Sequence, residues 1–232
     1  PDNEWFYPRH NKQCGPNCGP DCGCGRYVEI GNDVYMQYKK TATGYEPLAN
    51  KNVDTGFGLD RLLAFLNGVT DGYKTDLFMP VISFLEEKSG KNYDEDEEAR
   101  KAMRIIADHI RTSTMLIGDV NGIVPSNVGA GYILRRLLRR AIRYARKLGV
   151  EMSALTEASK IFIEKIYDEA YPLLVEKEDY IVSEIAKETA KFEATLATGL
   201  KEFNKCVEGI ERKNAFMAQK DPAYVPEKGI NG

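Results

Sequence analysis

The sequence has no apolar run long enough to span a bilayer, which excludes a transmembrane helix. It begins "PDNEWFYPRH", without an initiator Met and without the apolar core of a signal peptide, so the chain is expected to be cytoplasmic or cut from something longer. No internal repeat occurs, which argues against a solenoid. Acidic residues are missing altogether from "RRLLRRAIRYARK", where seven basic groups fall between Arg135 and Lys147. What is present is the composition of a soluble globular protein, 43% hydrophobic and 29% charged over 232 residues, enough for one or two domains with a sizeable core. The net charge of −3 hides a sorting of charge, because five consecutive acids from Asp94 to Glu98 offset the basic block. Acids there suit the N-terminus of a helix.

Four of the five cysteines crowd into "CGPNCGPDCGCG", within eleven residues. An oxidised secreted domain spreads its cysteines to staple distant segments, and these do not. Two readings stand: Cys14, Cys18, Cys22 and Cys24 supply thiolates to zinc, with His10 as a substitute ligand, or the stretch is a flexible, reduced loop. Cys206, on a predicted helix, is expected to be a small core residue.

Hydrophobic patterning divides the chain near Gly68. Before it, "RYVEIGNDVYMQYKKT" alternates β-branched and aromatic residues, and "ATGYEPLANKN" reads as a turn and a returning strand. After it, apolar residues recur at three and four, predicting helices over 75–90, 96–119, 131–149 and 153–171. A fifth, very long helix is expected from Pro172, placed in its first turn, to about Ile210. The predicted class is α+β: part of an antiparallel sheet (1–68), a mostly helical domain with one long helix (69–220) and a loop tail (221–232). His109, mid-helix beside Asp108, reads as structural.

The stretch "KNVDTGFGLDRLLAFLNG" is the first that suggests a ligand. Val53 lies in an extended segment, which turns Asp54 to the opposite face. Gly56 and Gly58 admit close backbone approach, and Arg61 sits in the first turn of the next helix, where a guanidinium can grip phosphate oxygens. An acid for an ammonium and an Arg for a polyphosphate suit an amino acid plus ATP. The same residues also make an ordinary strand–helix ion pair. In the basic block, Arg136, Arg140, Arg143 and Lys147 form one helical stripe with Arg135 and Arg139 beside it, either a solvated face or a clamp for RNA phosphates. Asn127, by itself, is a turn residue before two glycines.

"NVDTGFGLDRLL" closely resembles the third signature motif of class II aminoacyl-tRNA synthetases, in the form found in the alanyl-tRNA synthetases. "RYVEIGNDVYMQY" resembles the preceding strand of that family, "AMRIIADHIRTSTMLIGD" and "VPSNVGAGYILRRLLRRAIRYARKLG" its helical tRNA-recognition region, and "KFEATLATGLKEF" the long helix that follows. The matches run in family order over nearly the whole chain. The resemblance implies ATP-dependent formation of alanyl-adenylate and transfer of the alanyl group to tRNA(Ala), by positioning and charge complementarity without a protein nucleophile. It implies that Asp54 holds the α-ammonium of alanine, Asn32 orients the amino acid, Gly56 and Gly58 line the floor, Arg61 binds the γ-phosphate and Glu29 is a magnesium-side carboxylate. Glu29 and Asn32 face opposite ways on a regular strand, so serving together requires a bulge, which Gly31 permits. Gly31 departs from the Trp common there. The resemblance further implies that Asn127 reads a G·U pair in the acceptor stem from the minor groove, beside the phosphate-binding arginines.

The family's first two motifs, the partner acid of Asn127, the editing domain and the oligomerisation segment are not in this sequence. The chain is therefore expected to be an interior piece, carrying about half an active site and unable to charge tRNA unaided. The alternatives are a stand-alone paralogue that binds RNA without catalysis, and an amide ligase using the same ATP pocket on a small amine.

Overall fold

The computed structural model describes residues 2–220 and Val225; the expected loop tail lies, but for Val225, outside the described residues. The fold is α+β. Strands β1 (Asp2–Pro8), β2 (Tyr27–Thr41) and β3 (Gly44–Phe57) form an antiparallel sheet in the order β1-β2-β3. Helices follow: α1 (Leu59–Leu66), α2 (Met79–Ser89), α3 (Glu97–Gly118), α4 (Gly129–Leu148), α5 (Ser153–Ile161), α6 (Pro172–Glu176) and α7 (Glu178–Lys220). Contacts divide the chain into two units, Pro1–Arg100 and Lys101–Gly232. Among the described residues no helix is long and apolar enough to cross a membrane.

In the first unit, β2 and β3 pair through the tight Thr41–Gly44 turn, and β1 pairs with β2 across the cysteine-rich connection, from Pro8 opposite Tyr27. Strand β1 was not evident from the sequence. Its register on β2 is regular except between Trp5, opposite Gly31, and Phe6, opposite Glu29, so Ile30 is the extra residue of a β-bulge. Helix α1 continues directly from β3 and packs back on the sheet, with Ala64 buried and the rings of Tyr7 and Phe65 5.0 Å apart. A short 3₁₀ turn (Gly72–Lys74) is capped by Asp71, which accepts from Tyr73 N at 3.1 Å and from Tyr93 Oη at 2.7 Å.

The second unit is a helical cluster. Helix α4 buries Gly131, Leu134, Leu138, Ala141, Ile142, Ala145 and Leu148, the three-four spacing that commits its other side to charge. That apolar face meets α5 and α7, and Thr114 on α3 shares a 2.8 Å hydroxyl hydrogen bond with Ser159 on α5. Gly149 ends α4 in the left-handed conformation, φ 88°, which costs glycine little. The helix predicted over 153–171 stops being α at Ile161 and continues as a π-turn over Phe162–Ile166. The acidic run does lead into a helix: Asp96 Oδ1 accepts from Ala99 N at 2.9 Å, and Glu97 and Glu98 fill the first turn of α3.

The long helix differs from expectation at both ends. Pro172 opens α6, as its ring allows, but α6 stops at Glu176; the long helix starts at Glu178 and passes Gly199 and Gly209 to reach Lys220. Its buried residues, Ile181, Ile185, Glu188 and Thr189, all lie in its first half. Cys206 in the second half is therefore exposed, and not the core residue expected from its helical setting.

Candidate functional site

The sheet brings the expected ligand-binding residues to one face. Alternation along β3 puts Asp54 and Gly56 on the same side, and the register sets Gly56 opposite Asn32 and Asp54 opposite Val34. On β1, Glu4 and Phe6 share that side; Glu4 is opposite Asn32 and Phe6 opposite Glu29. The bulge at Ile30 is what restores Glu29 to the face of Asn32, as their joint use requires. Asn32 lies close over Gly56: a Cβ at position 56 would sit 3.4 Å from its Oδ1.

Arg61 completes this surface. Its stem runs across Gly58, where a Cβ would lie 3.3 Å from Cδ, and its Nη1 donates to the Glu29 carbonyl oxygen at 3.1 Å and lies 3.3 Å from Glu29 Oε2. Gly58 N donates to Ile30 O at 2.9 Å, so the bulge also fixes the turn into α1. On the opposite face, Asp33 accepts from Thr55 Oγ1 at 2.8 Å and Trp5 Nε1 at 3.0 Å and locks the three strands together. Gly31 is buried beneath Phe57; a Cβ there would meet the Phe57 ring at 2.5 Å and Gly56 O at 2.6 Å. Phe57 thus covers the position where the resemblance places a Trp. Sequence reasoning missed it, although its place between the two glycines was a signal.

The cysteine loop is built from two successive turns of the same kind. Cys18 N donates to Gly15 O at 3.2 Å and Cys22 N to Gly19 O at 3.0 Å, with Pro16 and Pro20 at the second turn position that proline favours. The turns converge four sulfurs within 4.8 Å of one another, Cys14 and Cys22 at 3.3 Å and Cys18 and Cys24 at 3.9 Å. Tetrahedral zinc, with sulfur at roughly 2.3 Å, wants its sulfurs about 3.8 Å apart, so the donor set fits the ion. All four thiols are free. Buried Arg26 ties the loop down, donating from Nε to His10 O at 3.0 Å and from Nη1 to Cys18 Sγ at 3.7 Å. His10 enters through its carbonyl, and the convergent group consists of the cysteines. A backbone hydrogen bond at Cys14, then the Arg26 guanidinium, lower the Cys18 thiol to about 7. Sharing its proton with Cys22 pushes Cys14 up to about 12 and lowers Cys22. The loop therefore already concentrates thiolate character on two sulfurs.

In the second unit, Asn127 lies exposed in the loop before α4. Ser126 holds that loop, its Oγ donating to Val128 O at 2.9 Å and its N–H donating to Gly131 O at 3.0 Å. The basic block divides in two. Arg136, Arg140, Arg143, Arg146 and Lys147 are exposed, with Arg136 over the ring of Tyr132 at 5.8 Å and Arg140 over Tyr144 at 6.0 Å. Arg135 and Arg139 instead turn to the buried carboxylate of Glu188 on α7, at 3.3 Å and 2.8 Å. His109 Nδ1 lies 3.0 Å from Asp108 Oδ2, and its Nε2 is buried with no hydrogen-bond partner among the described residues.

A family model described as tRNA synthetases class II (A) matches residues 1–222 of this chain. The chain belongs to the class II (A) tRNA synthetases. It is similar to an alanine–tRNA ligase of Borrelia hermsii, 44% identical over 215 residues, covering 92% of this chain and 36% of that protein. Its similarity to the alanine–tRNA ligase of Treponema pallidum is 41% over 218 residues, again 92% of this chain and 36% of the relative. To that of Geobacillus kaustophilus it is 38% identical over 229 residues, 97% of this chain and 26% of the relative. The chain spans about a third of the length of the curated relatives it matches first. Glu188 was invisible to motif reading, because its partners lie half a domain away in sequence.

Proposed function

We propose that this chain is the part of an alanine–tRNA ligase that binds alanine and the γ-phosphate of ATP and reads the acceptor stem of tRNA(Ala). The observation that carries the reading is the shared sheet face of Glu29, Asn32, Asp54 and Gly56, with Arg61 reaching its edge. Residues 1–68 belong on this reading to the catalytic part and 69–220 to tRNA recognition, in a cytoplasmic setting.

The chemistry asked of these residues is positioning. Asp54 carries the charge for the α-ammonium, and the Asn32 carboxamide beside Gly56 can donate and accept to orient the amino acid. The bare backbone at Gly56 and Gly58 lets the nucleotide lie against the strand. Arg61, with planar donors, suits a terminal phosphate. Magnesium, when bound, neutralises phosphate charge; Glu29 offers the hard oxygen donor it prefers. Zinc at Cys14, Cys18, Cys22 and Cys24 has a structural role, closing the β1–β2 connection. Asn127 reads the G·U pair, and Arg136, Arg140 and Arg143 supply the phosphate attraction. The chain covers a third of its relatives and is not expected to form adenylate alone.

The test is a titration of the chain with an acceptor-stem hairpin by fluorescence anisotropy at two salt concentrations, with the G·U pair intact or replaced by G·C. Salt-sensitive binding that weakens with G·C supports the reading. Salt-sensitive binding indifferent to the pair reduces the helical part to a phosphate clamp. No binding by a folded sample sinks the tRNA half of the proposal.

A further inference from the structure

Glu188 is 4% exposed, and its Oε1 lies 2.8 Å from Arg139 Nε and 3.3 Å from Arg135 Nε. Arg139 is also stacked, its guanidinium 5.1 Å from the Phe192 ring centre. Arg135 Nε meets that carboxylate as an ion pair without hydrogen-bond geometry, and its other nitrogens reach the loop before α4: Nη1 donates to Asn127 Oδ1, and Nη2 to Pro125 O at 3.2 Å. One guanidinium, only 11% exposed, thus ties a buried carboxylate on α7 to an exposed carboxamide. Guanidinium has donors and no acceptor, so the carboxamide atom facing it must be the oxygen. Asn127 is left to offer its NH₂ outward, as a donor. That is the polarity for an acceptor on a base edge in a minor groove.

We propose that Glu188 is a positioning residue for acceptor-stem discrimination, holding Arg135 so that Arg135 holds the carboxamide of Asn127. The proposal rests on Asn127 as the reader of the G·U pair. Burying a carboxylate between two cations is an expensive way to join helices, and an apolar contact would serve packing as well. What the carboxylate adds is direction. Without it, Arg135 is a mobile cation beside an RNA backbone, drawn to phosphate and away from Asn127. The basic block then has two separate tasks. Arg136, Arg140 and Arg143 supply sequence-blind attraction, and Arg135 with Glu188 sets the geometry of the reader.

The experiment measures hairpin affinity for G·U and G·C stems across a salt series for the chain and for Glu188→Gln, Arg135→Lys, Asn127→Ala, Arg140→Ala and the double variant Asn127→Ala/Glu188→Gln. It also follows the Asn127 side-chain amide signals in ¹⁵N spectra of the RNA-free proteins. Glu188→Gln is expected to shift those signals and to lower the G·U preference by about tenfold, as loss of one good base contact does. The salt slope should stay unchanged, and the double variant should lose no more preference than Asn127→Ala alone. Arg140→Ala should do the reverse, lowering the slope by about one and sparing the preference. Arg135→Lys keeps the charge and the Glu188 pair but not the fork, and serves if Glu188→Gln does not fold; an intact preference in it overturns the proposal. So does a folded Glu188→Gln with unmoved Asn127 signals, or with equal losses on both stems. If Asn127→Ala keeps the preference while Glu188→Gln still moves the Asn127 signals, the reader assignment fails: the tether stands, and its role in discrimination is overturned.

Discussion

Arg61 Nη1 lies 3.3 Å from Glu29 Oε2, joining the first turn of α1 to the middle strand across the floor set by Gly58. The pair is half-exposed, 54% and 32%, so it contributes little to stability, and a polyphosphate can compete for the guanidinium. Arg61→Ala should therefore reduce the preference of the chain for ATP over AMP by about tenfold, the worth of a charge-assisted contact, with melting temperature nearly unchanged. Isothermal titration with both nucleotides and magnesium checks this. An unchanged ATP-to-AMP ratio would remove Arg61 from phosphate binding.

The exposed stripe predicts a salt effect. Replacing Arg136, Arg140 and Arg143 together by Ala should flatten the dependence of hairpin affinity on salt by about two to three units of slope. Anisotropy titrations at several salt concentrations read it directly. A slope that does not move would return the stripe to an ordinary solvated helix face.

How far the site was legible in the sequence depends on how local its causes are. Alternation in 26–41 gave β2, and the conflict between Glu29 and Asn32 demanded a bulge, found at Ile30. Strand β1 is short, and its aromatics Trp5, Phe6 and Tyr7 run together without alternating with polar residues before Pro8 ends it, so no period-two pattern marked it. Arg135 and Arg139 sat beside the stripe by helical spacing, yet their inward turn depends on Glu188, which comes from a different helix. Apolar periodicity runs through Lys177 and made α6 and α7 look like one helix. The same periodicity in the second half of α7 suggested burial for Cys206, where no described residue packs to provide it.

The cysteine loop should bind one zinc or cobalt ion per chain. Cobalt absorption in the thiolate-to-metal charge-transfer region checks it, and Cys18→Ser should abolish the tetrathiolate spectrum. Affinity should rise with pH, since the ligands bind as thiolates and Cys14 must give up a proton held to about 12. In the metal-free chain, Cys18, lowered to about 7, and Cys22, also lowered, should be alkylated ahead of Cys14, the rate at Cys18 climbing as pH rises through about 7. The depressed pKa also means that its hydrogen bonds favour the fold above the ordinary thiol range, and that this contribution is lost as pH falls through about 7. Uniform, slow alkylation of all four sulfurs at neutral pH would contradict the arrangement.

Gly131 offers a test with a reversed sign. In a helix interior, Ala ordinarily stabilises relative to Gly by about 1 kcal/mol. Here a Cβ would meet Val124 O at 2.5 Å and crowd Ser126, so Gly131→Ala should instead destabilise by about 1–3 kcal/mol. Urea unfolding followed by circular dichroism gives the value, and a gain in stability would mean that the loop carrying Asn127 is not seated as described.

The burial pattern of α7 has a thermal consequence. At 1.5 Å per residue its 43 residues extend roughly 65 Å. Among the described residues, the side chains that α7 buries in a core all lie in its first half. The second half carries single-turn pairs such as Lys205 with Glu202 and Arg212 with Glu208, each worth a few tenths of a kcal/mol. A solitary helix of that kind melts from its end by degrees and has no sharp transition. Warming should therefore unwind α7 progressively from Lys220 toward Lys191, while the segment bearing Glu188 stays wound until the core itself gives way.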